Sequence, residues 1–248
     1  MSEGALVQQI GQASVSGGAG TSRNLTITLT QAVATGNLIV IVVYNNAGSS
    51  ASSNANVSDN GPSYTYNVDE YAFDGNFRAF NVWIFSAIAT SGMASGKVIT
   101  VASNVDQAYA SAAALEYAGS FVSSPVDQTH ANAQNVSGSP ITAATSGNTG
   151  TLGQPQELAI GAIGFVDPNV ETETVTGSGG FTGRTIAQSG AAVQTGVIPL
   201  DQVVSATTAL AATGTLGNAA QTMTVIATYK LLNFPPGPMQ PIHVLHYN

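Results

Sequence analysis

Short apolar runs bounded by turn-forming residues recur along the chain, and they predict β-strands. One such run, residues 37–44, reads Asn-Leu-Ile-Val-Ile-Val-Val-Tyr and lies between Gly36 and Asn45. A run of this length without polar alternation is typical of a strand that is covered on both faces. We therefore expect residues 37–44 to form the central strand, and the remaining strands to supply the sheets that cover it.

The stretches around this run show the spacing of further strands. Residues 24–30 alternate leucine or isoleucine with polar residues, which predicts a strand with one buried face. Residues 77–88 place Phe80, Val82, Ile84, Ser86 and Ile88 on one face, and Trp83 and Phe85 on the other. Residues 108–117 contain helix-forming alanines, but we expect a buried strand there because the segments around it have the spacing of β-strands. Residues 45–58 are small and polar, and they predict a long surface loop.

The pattern of the first half recurs in the second half of the chain. Residues 157–165 resemble the central strand. Residues 191–200 and 223–229 resemble residues 82–88 and 108–117, respectively. The offset of roughly 110–120 residues is too long for a solenoid repeat. The sequence therefore predicts an all-β protein, a jelly-roll-like antiparallel β-sandwich built from two similar halves. Residues 1–232 are expected to form a single domain, because no linker-like segment separates the halves.

The last sixteen residues, 233–248, differ from the rest in composition. Their four prolines exclude a central strand or a helix and favour an extended polyproline II conformation. Apolar residues at the end of the segment supply surface that could dock on a neighbour. We predict an extended Pro-rich C-terminal arm used in assembly. The residues assigned to it are Phe234, Pro235, Pro236, Pro238, Pro241, Ile242, Val244, Leu245 and Tyr247.

The amino-acid composition argues against several classes of binding partner. Charged residues make up 7% of the chain, the net charge is −8 and the five basic residues are scattered, so nucleic-acid binding is not expected. No apolar run approaches the ~20 residues of a membrane span, and no membrane association is expected. The chain has no cysteine, which excludes disulfides and thiolate chemistry. Residues 1–4 lack the features of a secretory signal, so synthesis in the host cytoplasm is expected.

Candidate catalytic and metal-binding groups are few. A Ser-His-Asp site would have to use His130, and no Gly-x-Ser-x-Gly motif adjoins a strand, so an enzyme is not expected. Acidic residues cluster in two predicted loops, where β-sandwich proteins often hold Ca²⁺. Their spacing is irregular, and we expect no cofactor, with structural Ca²⁺ as the alternative to solvated carboxylates. The clustered acids are Asp69, Glu70, Asp74, Asp167, Glu171 and Glu173.

Aromatic residues offer a second type of candidate site. Tyr64, Tyr66 and Trp83, together with Tyr71 and Phe73, could form a platform on which a surface glycan stacks. The competing interpretation is that Trp83 covers a sheet face and that the tyrosines line strand ends.

Four segments of the chain carry a family resemblance. Residues 36–44, 57–64, 82–85 and 115–119 resemble segments of low-charge jelly-roll β-sandwich modules in phage structural proteins and bacterial surface proteins. The resemblance extends over about residues 5–232 and excludes the Pro-rich arm. It implies an architectural or adhesive role, and it transfers no catalytic residue.

From the resemblance and the composition we expect a virion structural protein of phage type, either a head decoration (cement) protein or a tail component. Its partners would be other copies of itself and other virion proteins, and its location would be the virion. The alternative is a carbohydrate-binding or adhesin module that recognises a surface glycan.

Overall fold

A computed structural model describes residues 2–16, 24–46, 55–74, 80–103, 109–134, 140–167, 173–189 and 194–232. These residues form sixteen β-strands and no helix, and every strand pairing is antiparallel. The prediction of an all-β antiparallel sandwich is therefore confirmed. Within the described ranges, no helix has the length and apolar character needed to cross a bilayer. Residues 233–248, to which the assembly arm was assigned, lie outside the described residues.

The first half of the chain forms a large sheet and a small sheet. The large sheet has the order β1-β8-β3-β6-β5, and the small sheet has the order β2-β7-β4. The first strand thus pairs with the eighth, the second with the seventh and the third with the sixth. A long hairpin that is folded over on itself in this way is a jelly roll. The strands are β1 (Leu6–Ser16), β2 (Leu25–Thr28), β3 (Leu38–Asn46), β4 (Ala55–Asp59), β5 (Asn67–Asp74), β6 (Phe80–Ile88), β7 (Val98–Ser103) and β8 (Tyr109–Tyr117).

The second half repeats this arrangement. Strand β9 pairs with the end of β16, β10 pairs with the beginning of β16, and β11 pairs with β15. The long strand β16 therefore replaces both the seventh and the eighth strand of the first half, because it passes from the small sheet into the large one. The strands are β9 (Phe121–Gln134), β10 (Ile141–Thr145), β11 (Glu157–Asp167), β12 (Val175–Ser178), β13 (Thr182–Gly183), β14 (Ala187–Ser189), β15 (Gln194–Val204) and β16 (Thr213–Leu231).

Strand register fixes which residues of the two halves are equivalent. Leu38 lies opposite Tyr117 on β8, and Leu158 lies opposite Tyr229 on β16. Two residues further along the central strands, Val40 lies opposite Ser86 and Ile160 lies opposite Asp201. Tyr117 is therefore equivalent to Tyr229, and Ser86 is equivalent to Asp201.

Three hydrophobic cores lie between four sheet layers. One core fills the space between the large and small sheets of the first half, and a second does the same in the second half. The third lies between the two large sheets and contains side chains of β3, β6, β8, β11 and β16. We call this contact between the large sheets the inner interface. It explains why the central strands β3 and β11 are buried along their whole length.

Most strand predictions are confirmed. Leu25, Ile27 and Leu29 are buried while the polar residues between them are exposed. The alanine-rich stretch forms the buried strand β8 (Tyr109–Tyr117). The loop predicted at residues 45–58 is wrong at both ends, because β3 continues to Asn46 and β4 begins at Ala55.

Candidate functional site

Two clefts open at the inner interface, one in each half. The first, of about 430 Å³, is lined by β5, β6 and the beginning of β9, and includes Asp69. The second, of about 410 Å³, is lined by the beginning of β1, by residues of β11, β13 and β15, and by Arg184. We call them the Asp69 cleft and the Arg184 cleft.

The two clefts occupy equivalent places in the duplicated fold. Asn67 lies opposite Ser86 on β6, and Thr182 lies opposite Asp201 on β15. Because Ser86 and Asp201 are equivalent, Asn67 corresponds to Thr182. Beyond that point β5 carries a bulge, in which Glu70 pairs with Ile84 and Asp69 is the inserted residue. The Arg184 amide donates to the carbonyl of Pro199, which is the equivalent of Ile84, so Arg184 corresponds in register to Glu70 and Asp69 lies next to that position. The two clefts thus have the same framework and carry different charges.

In the Asp69 cleft, a carboxylate from one half meets a phenol from the other. The hydroxyl of Tyr229 donates to Oδ2 of Asp69 at 2.6 Å. Burial raises the pKa of Asp69 to about 6, although hydrogen bonds from Tyr229 and Ser86 act in the opposite direction. Burial also raises the pKa of Tyr229 far above that of a free tyrosine, so the phenol stays protonated as the donor.

In the Arg184 cleft, the carboxylate has a cationic partner. Nε and Nη2 of Arg184 donate to the two carboxylate oxygens of Asp201 at 2.8 and 2.6 Å. The hydroxyl of Tyr117 donates to Oδ2 of the same carboxylate at 2.8 Å. Hydrogen bonding to Asp201 raises the pKa of Arg184 further. The geometry is that of a bidentate guanidinium–carboxylate pair, which a lysine could not reproduce.

In both clefts a tyrosine hydroxyl thus donates to a carboxylate, but the carboxylate lies on a different strand in each half. In the second half it lies on β15 at Asp201, and the neighbouring position holds the cation Arg184. In the first half Ser86 replaces that carboxylate, and the bulge residue Asp69 of β5 supplies the carboxylate instead. The ion pairs of the described residues, Arg184–Asp201 and Lys230–Asp127, leave Asp69 without a cation.

Two buried carboxylates, Glu116 in the first half and Glu157 in the second, have a structural role. The buried Glu116 accepts hydrogen bonds from the Ala34 amide at 2.8 Å and from the side chains of Asn37 and Gln8 at 2.6 and 2.5 Å. In the second half Glu157 occupies the position of Asn37. Burial and the neighbouring Asp127 raise the pKa of Glu157, against a hydrogen bond from Thr228. These carboxylates hold strand ends together.

The predicted aromatic platform does not form. Trp83 is only 3% exposed and packs in the core of the first half, because β6 is covered by a sheet on each face. Tyr64 is also buried, and its hydroxyl donates to the carbonyl of Ser91. Tyr66 packs edge-on against Tyr64, with ring centroids 6.3 Å apart. The expectation that these three residues offer a stacking surface is therefore corrected. Tyr71, on β5, is 53% exposed.

The acidic clusters and His130 likewise have protein partners. Glu173 accepts hydrogen bonds from the amides of Thr174, Gly217 and Asn218 at 2.9, 2.8 and 3.2 Å. No three His, Asp or Glu side chains of the described residues are grouped to hold a metal ion, and Glu171 lies outside those residues. Nδ1 of His130 lies 2.6 Å from the carbonyl of Ser146, a contact in which Nδ1 must be the donor.

No family model, curated protein or solved structure matches the chain.

Proposed function

We propose that this chain is a structural protein of a phage-type virion, either a head decoration protein or a tail component, and that it acts through assembly with protein partners. The observation that carries the proposal is the stacking of two jelly rolls on a shared core. Four sheet layers packed in this way form a rigid body, because bending it would separate closely packed core side chains. Jelly rolls recur in capsid and lectin domains, which supports the proposal by analogy of fold.

The outer faces of the block are suited to close packing against neutral surfaces. The exposed side chains of β2, β4, β10 and β12 are uncharged, and all of them except Ala143 are polar. Association through such faces depends on shape and hydrogen bonds, and salt screens it little. The outward residues are Thr26, Thr28, Asn56, Ser58, Thr142, Thr176 and Ser178.

The Pro-rich arm supplies a second means of attachment. The last described residues, Leu231 and Leu232, end β16 beside Ser120, whose carbonyl accepts a hydrogen bond from the Leu232 amide at 2.7 Å. Residues 233–248 follow from that point. Prolines restrict the unfolded arm, so docking costs less conformational entropy than it would for a flexible tail.

Deletion of residues 233–248 tests the proposal. We expect the shortened chain to keep the melting temperature of the full chain, and to lose self-association or attachment to particles from the native source. Sedimentation analysis measures self-association, and electron microscopy shows attachment to the particles. The full chain, measured at low and at high salt, is the control. A shortened chain that assembles normally but melts much earlier would contradict the assembly role.

A carbohydrate-binding or adhesin module is the second candidate. The observation that favours it is Tyr71, whose exposed ring on the edge strand β5 could stack on a sugar. Saturable binding to a glycan panel that is abolished by Tyr71→Ala would place this candidate ahead of the first.

A further inference from the structure

The Asp69 cleft and the Arg184 cleft form an internal comparison in which one framework carries two different sets of charges. In the Arg184 cleft, a guanidinium covers the carboxylate that receives the tyrosine hydroxyl. In the Asp69 cleft, the carboxylate receives the tyrosine hydroxyl in the same way, and the cleft beside it is open and about as large. The described residues supply a cation to one of these two tyrosine–carboxylate pairs and none to the other.

The cationic residue that follows Tyr229 in the sequence is engaged in another ion pair. Lys230 follows Tyr229 on β16, but its Nζ lies 3.1 Å from Oδ1 of Asp127. Successive side chains of a strand point to opposite faces, so Lys230 is directed away from the inner interface. The half-buried Glu70, the next residue on β5, hydrogen-bonds through Oε1 to the Tyr71 amide.

We propose that the Asp69 cleft binds the guanidinium group of an arginine side chain presented by a partner protein. The cation would pair with the carboxylate that receives the tyrosine hydroxyl, as Arg184 does in the second half, with its nitrogens donating to the carboxylate of Asp69. Other lining groups suit the same ligand. The hydroxyl of Ser86 and the polar side chains of Asn67, Ser123 and Ser124 ring the cleft, while Val68 contacts the aliphatic stem.

The ionisation of Asp69 agrees with this chemistry. A carboxylate whose pKa is raised to about 6 by burial lacks the electrostatic compensation that a cation provides. A bound guanidinium should lower that pKa towards the usual value. The inference stands whether or not the chain belongs to a virion, because it rests on the cleft alone.

The test uses N-acetyl-arginine amide as the probe and the full chain, observed by amide and carboxyl NMR. We expect saturable shifts confined to residues 67–69, 86–88 and 123–126, together with a fall in the pKa of Asp69. The neutral isostere N-acetyl-citrulline amide should produce neither effect. Asp69→Asn should weaken binding at least about tenfold, whereas Glu70→Gln should leave it unchanged.

Arg184→Ala provides a positive control for the probe within the same molecule. Removal of the internal guanidinium should let the probe enter the Arg184 cleft and shift the signals of residues 182–184 and 201–203. A probe that binds this variant's Arg184 cleft but leaves the Asp69 cleft unaffected would overturn the inference. An equal response of wild type and Asp69→Asn, or stronger binding of methyl glucoside than of the arginine probe, would also overturn it.

Discussion

Asp69→Asn should make the protein more stable at neutral pH, although it replaces a hydrogen-bonded residue at the inner interface. Burial raises the pKa of Asp69 from its usual 3.8 to about 6. Each pKa unit corresponds to about 1.4 kcal/mol, so ionisation of Asp69 costs the folded state about 3 kcal/mol relative to the unfolded chain. Asparagine resembles the protonated acid in shape and still accepts the hydrogen bond from Tyr229, so the variant does not incur this cost.

The sign of the pH dependence follows from the direction of the shift. Because the folded pKa lies above the unfolded one, the contribution of Asp69 is most favourable below pH 3.8 and is lost as the pH rises through about 6. Wild type and Asp69→Asn should therefore be equally stable at low pH and diverge above it. At about 2–4 °C per kcal/mol for a chain of this size, the difference at neutral pH should reach roughly 6–12 °C in Tm.

Urea unfolding of the two proteins at a series of pH values measures the difference directly. Comparison of the two proteins cancels the other titrating groups, including Asp127, whose pKa is lowered by its hydrogen bonds to Gly153 and Lys230 despite partial burial. Val68→Ala serves as the control, because it changes an exposed neighbour of Asp69 and removes no titrating group. An Asp69→Asn protein that is less stable than wild type at neutral pH would refute the view that this carboxylate is uncompensated.

Three further predictions concern the inner interface. Arg184→Met should destabilise the fold by about 2–4 kcal/mol in urea unfolding, because Asp201 is left buried without a cation. Tyr117→Phe should cost about 1.5–3 kcal/mol by the same assay, since it removes a buried hydrogen bond to a carboxylate. Gly164→Ala should lower Tm by several degrees, because an added methyl group would overlap side chains of the first half. Gly92→Ala is the matched control, with only an ordinary contact at 3.4 Å.

Strand faces could be predicted from the sequence wherever apolar residues mark them clearly. Residues 80–88 carry large apolar side chains at both odd and even positions, and the structure places Phe80 and Val82 in the inner interface and Phe85 in the core of the first half. The alanine-rich β8 was predictable only from its surroundings, because alanine favours helices when considered alone. Tertiary packing of β8 between β1 and β3 overrides that preference.

Strands with weak alternation could not be predicted. Strand β9 (Phe121–Gln134) has few apolar residues and contains Pro125, which lies where the pairing with β16 shifts register. Such positions tolerate a proline because no ladder hydrogen bond is required there. Strand β4 (Ala55–Asp59) buries only Val57, so nothing in its composition distinguishes it from a loop.

The candidate site could not be predicted from the sequence for a different reason. Asp69 and Tyr229 are 160 residues apart in the sequence, and they meet only because the two large sheets pack face to face. The equivalence of Ser86 with Asp201 joins residues of unlike chemistry, and Asp69 is an inserted bulge residue next to the position equivalent to Arg184. Sequence similarity between the halves could not reveal it, and only the strand register did. The burial of Trp83 has another cause, because this side chain lies in the core between the large and small sheets of the first half.

Differential scanning calorimetry of the full chain tests most directly whether the two jelly rolls form one unit on a shared core. We predict a single transition in which the calorimetric enthalpy equals the van't Hoff enthalpy, because unfolding of either half would expose the core of the inner interface. Two transitions, with proteolysis yielding stable fragments that separate between Tyr117 and Phe121, would contradict the shared core.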